Sequence, residues 1–286
     1  MQKAKLTLKT SPSHTTEIRL SDHITVGGQS LLIVGGPCSV ESQAQMEAIA
    51  SRVATAPVQA LRGGVYKPRT SPYDFQGLGI EGLKILAAIR DRYGLPVITE
   101  VMAISQIEEI TAYADVLQVG SRNMQNFDLL KALGRTHKPI VLKRGLSATL
   151  EEWVMAAEYI LSHGNPNVIL CERGIRSFDS HTRNVLDLGA VVALKQLTHL
   201  PVIVDPSHAT GKRELVADLA RAAIAAGADG IMVECHPTPD ESVSDARQTL
   251  SLDAMVDLVH SLGAIATAVG RTVPTAGEKL PQLALV

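Results

Sequence analysis

From Leu31 onward the chain repeats one pattern eight times without a break: a short apolar, β-branched run followed by a stretch of helical periodicity. The runs fall at about 31–37, 60–66, 96–101, 115–119, 139–143, 167–171, 201–204 and 230–234. The helical stretches follow near 42–54, 78–93, 104–112, 125–133, 149–162, 183–197, 212–226 and 252–270. Runs apolar on both faces suit parallel strands covered by helices. Eight strand–helix units within one chain predict an α/β fold, a closed (β/α)8 TIM barrel ringed by its helices. A doubly wound open sheet is the weaker expectation, because no G-x-G-x-x-G turn follows the first run.

The rest of the chain bounds the reading. A length of 286 residues with 45% hydrophobic content suits one large domain with a sizeable core. A formal net charge of −2 gives no sign of a nucleic-acid partner. No apolar run approaches the ~20 residues of a membrane span, and the N-terminus has no apolar signal core. The cysteines, Cys38, Cys171 and Cys235, are odd in number and widely spaced. That is no disulfide framework, and it fits a reducing, cytoplasmic setting. Thr16 to Gly28 alternates around a Ser21-Asp22 turn and reads as a small β-hairpin. The expected division is an N-terminal extension with the hairpin (1–30), a catalytic barrel (31–270) and a tail (271–286). Neither flank reaches the ~50 residues of an independent domain. No further folded domain is therefore expected on either flank.

Active sites of such barrels lie at the C-terminal ends of the strands. Those ends carry two populations of side chains. Cys38 follows the first strand in GGPCS, His208 follows the seventh, Glu234 ends the eighth, and Asp245 lies eleven residues beyond Glu234. A thiolate, an imidazole and two carboxylates converging there suit one divalent metal ion of the Mn, Fe, Co or Zn kind. The bland alternatives are a packed core thiol and a solvated loop aspartate. The second population is cationic: Arg62, Lys67, Arg69, Arg122, Lys143 and Arg173. Six cations on one face of a near-neutral chain point to anionic substrates bearing phosphate and carboxylate. Arg144 and Lys212 read as solvated or as supporting groups. Glu100 and Asp205 read as orienting groups without an assigned proton. Cys171 and Cys235 are expected to pack in the barrel wall, and His236 to lie near the site without joining it.

These segments resemble a known family. GPCSVES, KPRTSPYDFQGLG, QVGSRNMQNFDLL, LKRGLSAT, CERGIR, DPSHATG and VE-HP followed by SDARQ are similar to 3-deoxy-D-arabino-heptulosonate 7-phosphate synthase, in its compact bacterial branch. The resemblance runs in order from about Leu32 to Leu250. It departs mildly at Val65-Tyr66, where a small residue and Phe would be expected. It implies condensation of phosphoenolpyruvate with D-erythrose 4-phosphate and water, releasing phosphate, at the entry to the shikimate pathway and aromatic amino acid biosynthesis. It implies metal ligands at Cys38, His208, Glu234 and Asp245, with Mn2+ foremost. Phosphoenolpyruvate would meet Arg62, Lys67, Arg122, Lys143 and Arg173, assisted by backbone N–H groups near Gly120 and Ser121. The erythrose phosphate would meet Arg69, Thr70 and Ser71. Lys67, between the two substrates, would be the catalytic acid. The resemblance also implies a homo-oligomer, a dimer or tetramer. Three other readings compete: a sibling synthase using another aldose phosphate such as arabinose 5-phosphate, a Schiff-base aldolase built on Lys143 or Lys67, and a non-catalytic phosphosugar-binding barrel.

Overall fold

The computed structural model of the chain describes residues 3–68 and 71–274. Its elements run in order as β1 (Ile18–Arg19), β2 (Thr25–Val26), β3 (Leu32–Gly36), α1 (Gln43–Val53), β4 (Ala60–Arg62), α2 (Ile80–Tyr93), β5 (Val97–Glu100) and α3 (Ile107–Tyr113). Then come β6 (Val116–Val119), α4 (Phe127–Leu133), β7 (Ile140–Lys143), α5 (Leu150–Ser162), β8 (Val168–Glu172) and α6 (Leu188–Leu197). The chain continues with β9 (Val202–Val204), α7 (Pro206–Thr210), α8 (Arg213–Ala225), β10 (Gly230–His236), β11 (Leu250–Ser251) and α9 (Leu252–Ala268). Strands β3 to β10 pair in parallel in chain order, and β10 pairs with both β9 and β3, which closes the barrel. No helix among the described residues is long and apolar enough to cross a membrane.

The period-two alternation of the strands separates two cores. Ile33, Leu61, Val97, Leu117, Leu142, Leu170, Val202 and Ile231 face outward and pack against the helices. Leu32, Val34, Ala60, Ile98, Val116, Val141, Ile169, Ile203 and Met232 face inward and fill the barrel. The hairpin β1–β2 has its expected antiparallel register, Ile18 opposite Val26. Its Ile18, Leu20 and Val26 join the inward cluster, so the hairpin packs into the barrel interior at the start of the strands. Here a two-strand ribbon too short to be stable alone gains its stability from packing. Upstream, the Glu158 carboxylate on α5 accepts the backbone N–H groups of Lys5, Leu6 and Thr7, which straps the N-terminal segment across the helix.

Local sequence signals set the helix ends. Thr149 and Glu152 form a capping box at α5, and Ser42 and Ser251 cap α1 and α9. Two elements differ from the periodicity reading. The run expected over 60–66 leaves the sheet after Arg62, and the helix expected from 183 begins at Leu188, capped by Asp187. In the second case Arg183 and Asn184 donate their backbone N–H groups to Thr210 and Ala209 instead of to a helix.

If the hairpin plug is an integral part of the core, Ile18→Ala should cost about 2–4 kcal/mol of unfolding free energy. Urea denaturation monitored by circular dichroism measures this. A loss below about 0.5 kcal/mol would mean that the hairpin does not contribute to the core.

Candidate active site

On six of the eight strands the inward alternation that is apolar low in the barrel turns polar one step higher. Arg62 follows Ala60, Glu100 follows Ile98, Gln118 follows Val116, Lys143 follows Val141, Asp205 follows Ile203 and Glu234 follows Met232. A charged layer therefore sits directly on the apolar one at the strand ends. Arg62, Lys143, Asp205 and Glu234 are all buried there. They are tolerated because they pair: Arg62 Nη1 donates to Glu234 Oε1 at 2.6 Å and Lys143 Nζ to Asp205 Oδ2 at 2.5 Å. Burial pulls the Arg62 guanidinium down, but Glu234, Cys38 and Asp205 together leave it above its ordinary value. Burial likewise opposes ionisation of Asp205, yet His208 and Lys143 hold its carboxyl well below the usual range.

The ligand atoms of Cys38, His208, Glu234 and Asp245 all lie within 4.8 Å of one another. Ligand atoms sharing one ion at ~2.0–2.3 Å stand roughly 3–4.5 Å apart, so the spacing fits a single metal centre. His208 belongs to the one-turn helix α7, whose N-cap Asp205 accepts the His208 backbone N–H. The other carboxylate oxygen of Asp205 lies 2.7 Å from His208 Nδ1. That contact leaves Nε2 turned to the centre, 3.3 Å from Glu234 Oε1 and 3.7 Å from Asp245 Oδ2. A carboxylate behind an imidazole in this way orients it for metal ligation. Asp245 is the one non-glycine residue with positive φ among those described, at 58°. This conformation suits Asp better than most residues.

Cys38 Sγ accepts from Lys67 Nζ and from Ser244 Oγ, each at 2.9 Å, and lies 3.0 Å from Asp245 Oδ2. Burial and the Glu234 carboxylate push the thiol up to about 12, against the pull of Lys67. The set thus needs a further cation to balance a thiolate beside two carboxylates, and a divalent ion meets that requirement. By donor type, geometry and charge, the residues fit the metal.

The sequence-read cations divide. Arg62, Lys67, Lys143 and Arg173 are buried at the mouth, whereas Arg122, on the 3-10 turn Ser121–Asn123, is exposed and donates to the Pro68 carbonyl at 3.1 Å. Arg173 Nη1 and Arg62 Nε are buried without a hydrogen-bond partner among the described residues. Burial lowers the Arg173 guanidinium from its ordinary value. Lys67 Nζ also donates to the Cys38 carbonyl at 2.9 Å. Ser71 sits in a turn where its Oγ accepts from Tyr73 N, and Arg69 and Thr70 lie outside the described residues. Gly120 sits close to Glu100: a Cβ there would stand 2.2 Å from the carboxylate and displace it.

Two expectations are corrected. Arg144 is neither solvated nor behind the centre; it is buried on the outer side of the strand, donating to Glu172 and Asp187 above the Trp153 ring. Cys171 is not in the outer wall but inside the barrel, among Ile169, Ile203 and the other inward residues. At the mild departure Tyr66, the hydroxyl donates to Glu109 at 2.6 Å and ties the Lys67 loop to α3. Cys235 does face outward, and His236 lies toward Glu41 rather than among the four ligands. Sequence reading missed Ser244, Gln248 and Arg183. Gln248 Nε2 donates to Glu234 Oε2 at 2.6 Å, and Arg183 Nη1 donates to Asp245 Oδ1 at 3.1 Å. Ser244 was within reach of the sequence, adjoining Asp245.

Comparison with known proteins gives the family of the chain as a whole. Residues 10–269 match the family model described as the DAHP synthetase I family. The chain belongs to that family. It is 47% identical over 255 residues to phospho-2-dehydro-3-deoxyheptonate aldolase of Thermotoga maritima, covering 89% of this chain and 75% of the relative. The crystal structure of the Thermotoga maritima phospho-2-dehydro-3-deoxyheptonate aldolase (DAHP synthase) superposes with a TM-score of 0.91 at 44% identity, over 96% of this chain and 80% of that one. A more distant relative, 2-dehydro-3-deoxyphosphooctonate aldolase of Syntrophotalea carbinolica, is 31% identical over 87% of this chain and 95% of its own length. The barrel expected from the strand–helix rhythm is thus the fold of the family.

The buried pairs at the mouth are interdependent. Asp205→Asn leaves the Lys143 ammonium without its carboxylate, and should cost about 3–5 kcal/mol of stability. Urea unfolding of the metal-free variant at pH 7 measures it, and a cost below about 1 kcal/mol would mean that Lys143 finds another partner.

Proposed function

We propose that Cys38, His208, Glu234 and Asp245 hold one divalent metal ion, Mn2+ by preference with Fe2+, Co2+ or Zn2+ as alternatives. We propose further that the surrounding cations bind phosphoenolpyruvate and D-erythrose 4-phosphate for condensation to 3-deoxy-D-arabino-heptulosonate 7-phosphate and phosphate. The observation that carries this reading is the juxtaposition of a four-ligand cluster with buried guanidinium N–H groups on Arg62 and Arg173 that no described residue satisfies. Buried donors of that kind suit oxyanions.

When bound, the ion supplies Lewis-acid polarisation of the aldehyde oxygen. Arg62 and Lys143 orient the phosphoenolpyruvate carboxylate, while Arg173 and Arg122, with the N–H groups of Gly120 and Ser121, hold its phosphate. Arg69, Thr70 and Ser71 grip the erythrose phosphate. So held, C3 of phosphoenolpyruvate bonds to the aldehyde carbon, water adds at C2, and the C2–O bond breaks to release phosphate. Lys67 gives its proton to the oxygen of the former aldehyde. Support for that role comes from its position against Cys38, which puts its ammonium beside the centre where the negative charge develops. Glu100 and Asp205 orient their neighbours.

Erythrose 4-phosphate is favoured over arabinose 5-phosphate by the KPRT segment, Lys67 to Thr70, and by 47% identity to the Thermotoga maritima heptonate aldolase against 30–36% to the phosphooctonate aldolases. A Schiff base on Lys143 is disfavoured because its ammonium donates to Asp205 deep in the mouth. The exposed apolar side chains Ile104, Phe127, Val192 and Leu197 support a homo-oligomer, a dimer or tetramer. Three free cysteines support a reducing, cytoplasmic setting. The barrel of 31–270 is the catalytic unit in this reading, with the hairpin segment and the tail as flanks; residues 275–286 of that tail lie outside the described residues.

Phosphate release from phosphoenolpyruvate, assayed with a panel of aldose phosphates, tests the reading. Erythrose 4-phosphate should be the best acceptor, chelator should abolish turnover, and Mn2+ should restore it. In the same assay Lys67→Ala should lower kcat by ~10²–10⁴. Full turnover after chelation would contradict the metal, preference for arabinose 5-phosphate would contradict the substrate, and a variant changed only in KM would make Lys67 a binding residue.

A further inference from the structure

Arg183 lies on the loop between β8 and α6, outside the ring of candidate ligands, and half exposed: its side chain is 45% accessible. It nevertheless reaches both carboxylate ligands. Its Nη1 donates to Asp245 Oδ1 at 3.1 Å, while Asp245 Oδ2 faces the centre. The same nitrogen donates to Gln248 Oε1 at 3.2 Å, and Gln248 Nε2 donates in turn to Glu234 Oε2 at 2.6 Å. Glu234 Oε1 is the oxygen nearest His208. In each carboxylate, therefore, one oxygen is turned inward and the other is fixed by a chain that ends at Arg183. A guanidinium only donates and a carboxylate only accepts, so the Gln248 amide between them has a single satisfied orientation.

The loop that carries Arg183 is itself built onto the site. Arg183 N and Asn184 N donate to the carbonyls of Thr210 and Ala209, and Asn184 Nδ2 donates to the His208 carbonyl. Gly211 adopts φ 66°, and a Cβ there would stand 2.7 Å from Arg183 Cβ, so the glycine leaves room for the arginine stem. Arg183 thus ties the Asp245 loop to the His208 turn.

We infer that Arg183 is a positioning residue, which sets the orientation of the Asp245 and Glu234 carboxylates toward the metal without touching it. This rests on the metal centre proposed above. Partners of this outer kind typically change metal affinity by about 10–100-fold when removed. Lysine is a poor substitute, since one ammonium cannot reproduce the planar fork. Lys212 provides a control. It lines the same cavity of about 450 Å³ beside Asp245, but its ammonium faces His181 at 3.5 Å rather than a ligand carboxylate.

The test is the Co2+ dissociation constant of the full chain, measured by chelator competition, together with the absorption bands of the Co2+-loaded protein. Arg183→Ala should raise the constant by about 10–100-fold and shift the bands, and Arg183→Lys should recover part of the loss. Gln248→Met should weaken binding as well, and the double variant should lose less than the product of the two single losses. Lys212→Ala should change neither readout. Thermal melts of the metal-free proteins identify any variant that misfolds, in which case Gln248→Met carries the test. Unchanged Co2+ affinity and spectrum in Arg183→Ala, with a raised KM for the aldose phosphate, would overturn the inference and make Arg183 a substrate contact. An equal loss in Lys212→Ala would reduce it to a general charge effect. Failure of the wild-type chain to take up Co2+ would overturn the metal reading itself, and the positioning role with it.

Discussion

At the barrel mouth, Arg62 against Glu234 and Lys143 against Asp205 are charges removed from water and stabilised by one another. Such pairs carry a desolvation cost that only close geometry and further hydrogen bonds offset. Each partner comes from a different strand, so the pairing holds only if the barrel is closed and in register. The apolar layer beneath, from Leu32 to Met232, sets that register by filling the interior. The hairpin then joins the same interior. Stability and chemistry are therefore stacked along one axis, and the change from apolar to ionic takes a single step of alternation on most strands.

The same stacking explains how the site is held. Asp205 serves three partners at once: it caps α7, fixes His208 and neutralises Lys143. Lys67 and Ser244 converge on the Cys38 sulfur. These contacts make the ligand set rigid while leaving N–H groups of Arg62 and Arg173 directed to something other than the described residues. A site organised in this way pre-orients charge before substrate arrives, which is the condition for electrostatic catalysis.

Much of this was legible in the sequence because period two and strand ends are one-dimensional signals. The eight strands, the four candidate ligands and the buried cations Arg62, Lys67, Lys143 and Arg173 all follow from them. Period two carries one placement more. Counting two back from inward Arg173 puts Cys171 inside the barrel and leaves Glu172 outside to meet Arg144, as found. Arg183 was beyond reach for a different reason. It acts through contacts with Asp245 and Gln248, 62 and 65 residues away, and no local pattern encodes such a pairing. The late start of α6 belongs with it, since backbone bonds to Ala209 and Thr210 override the helical periodicity of 183–187.

In the proposed centre one thiolate, one imidazole and two carboxylates share a single ion. X-ray absorption spectroscopy of the Zn2+-loaded chain measures that set directly. The expected first shell has one sulfur at ~2.3 Å and nitrogen or oxygen neighbours at ~2.0–2.2 Å, at one ion per chain. A shell without sulfur, or with more than one, would contradict it.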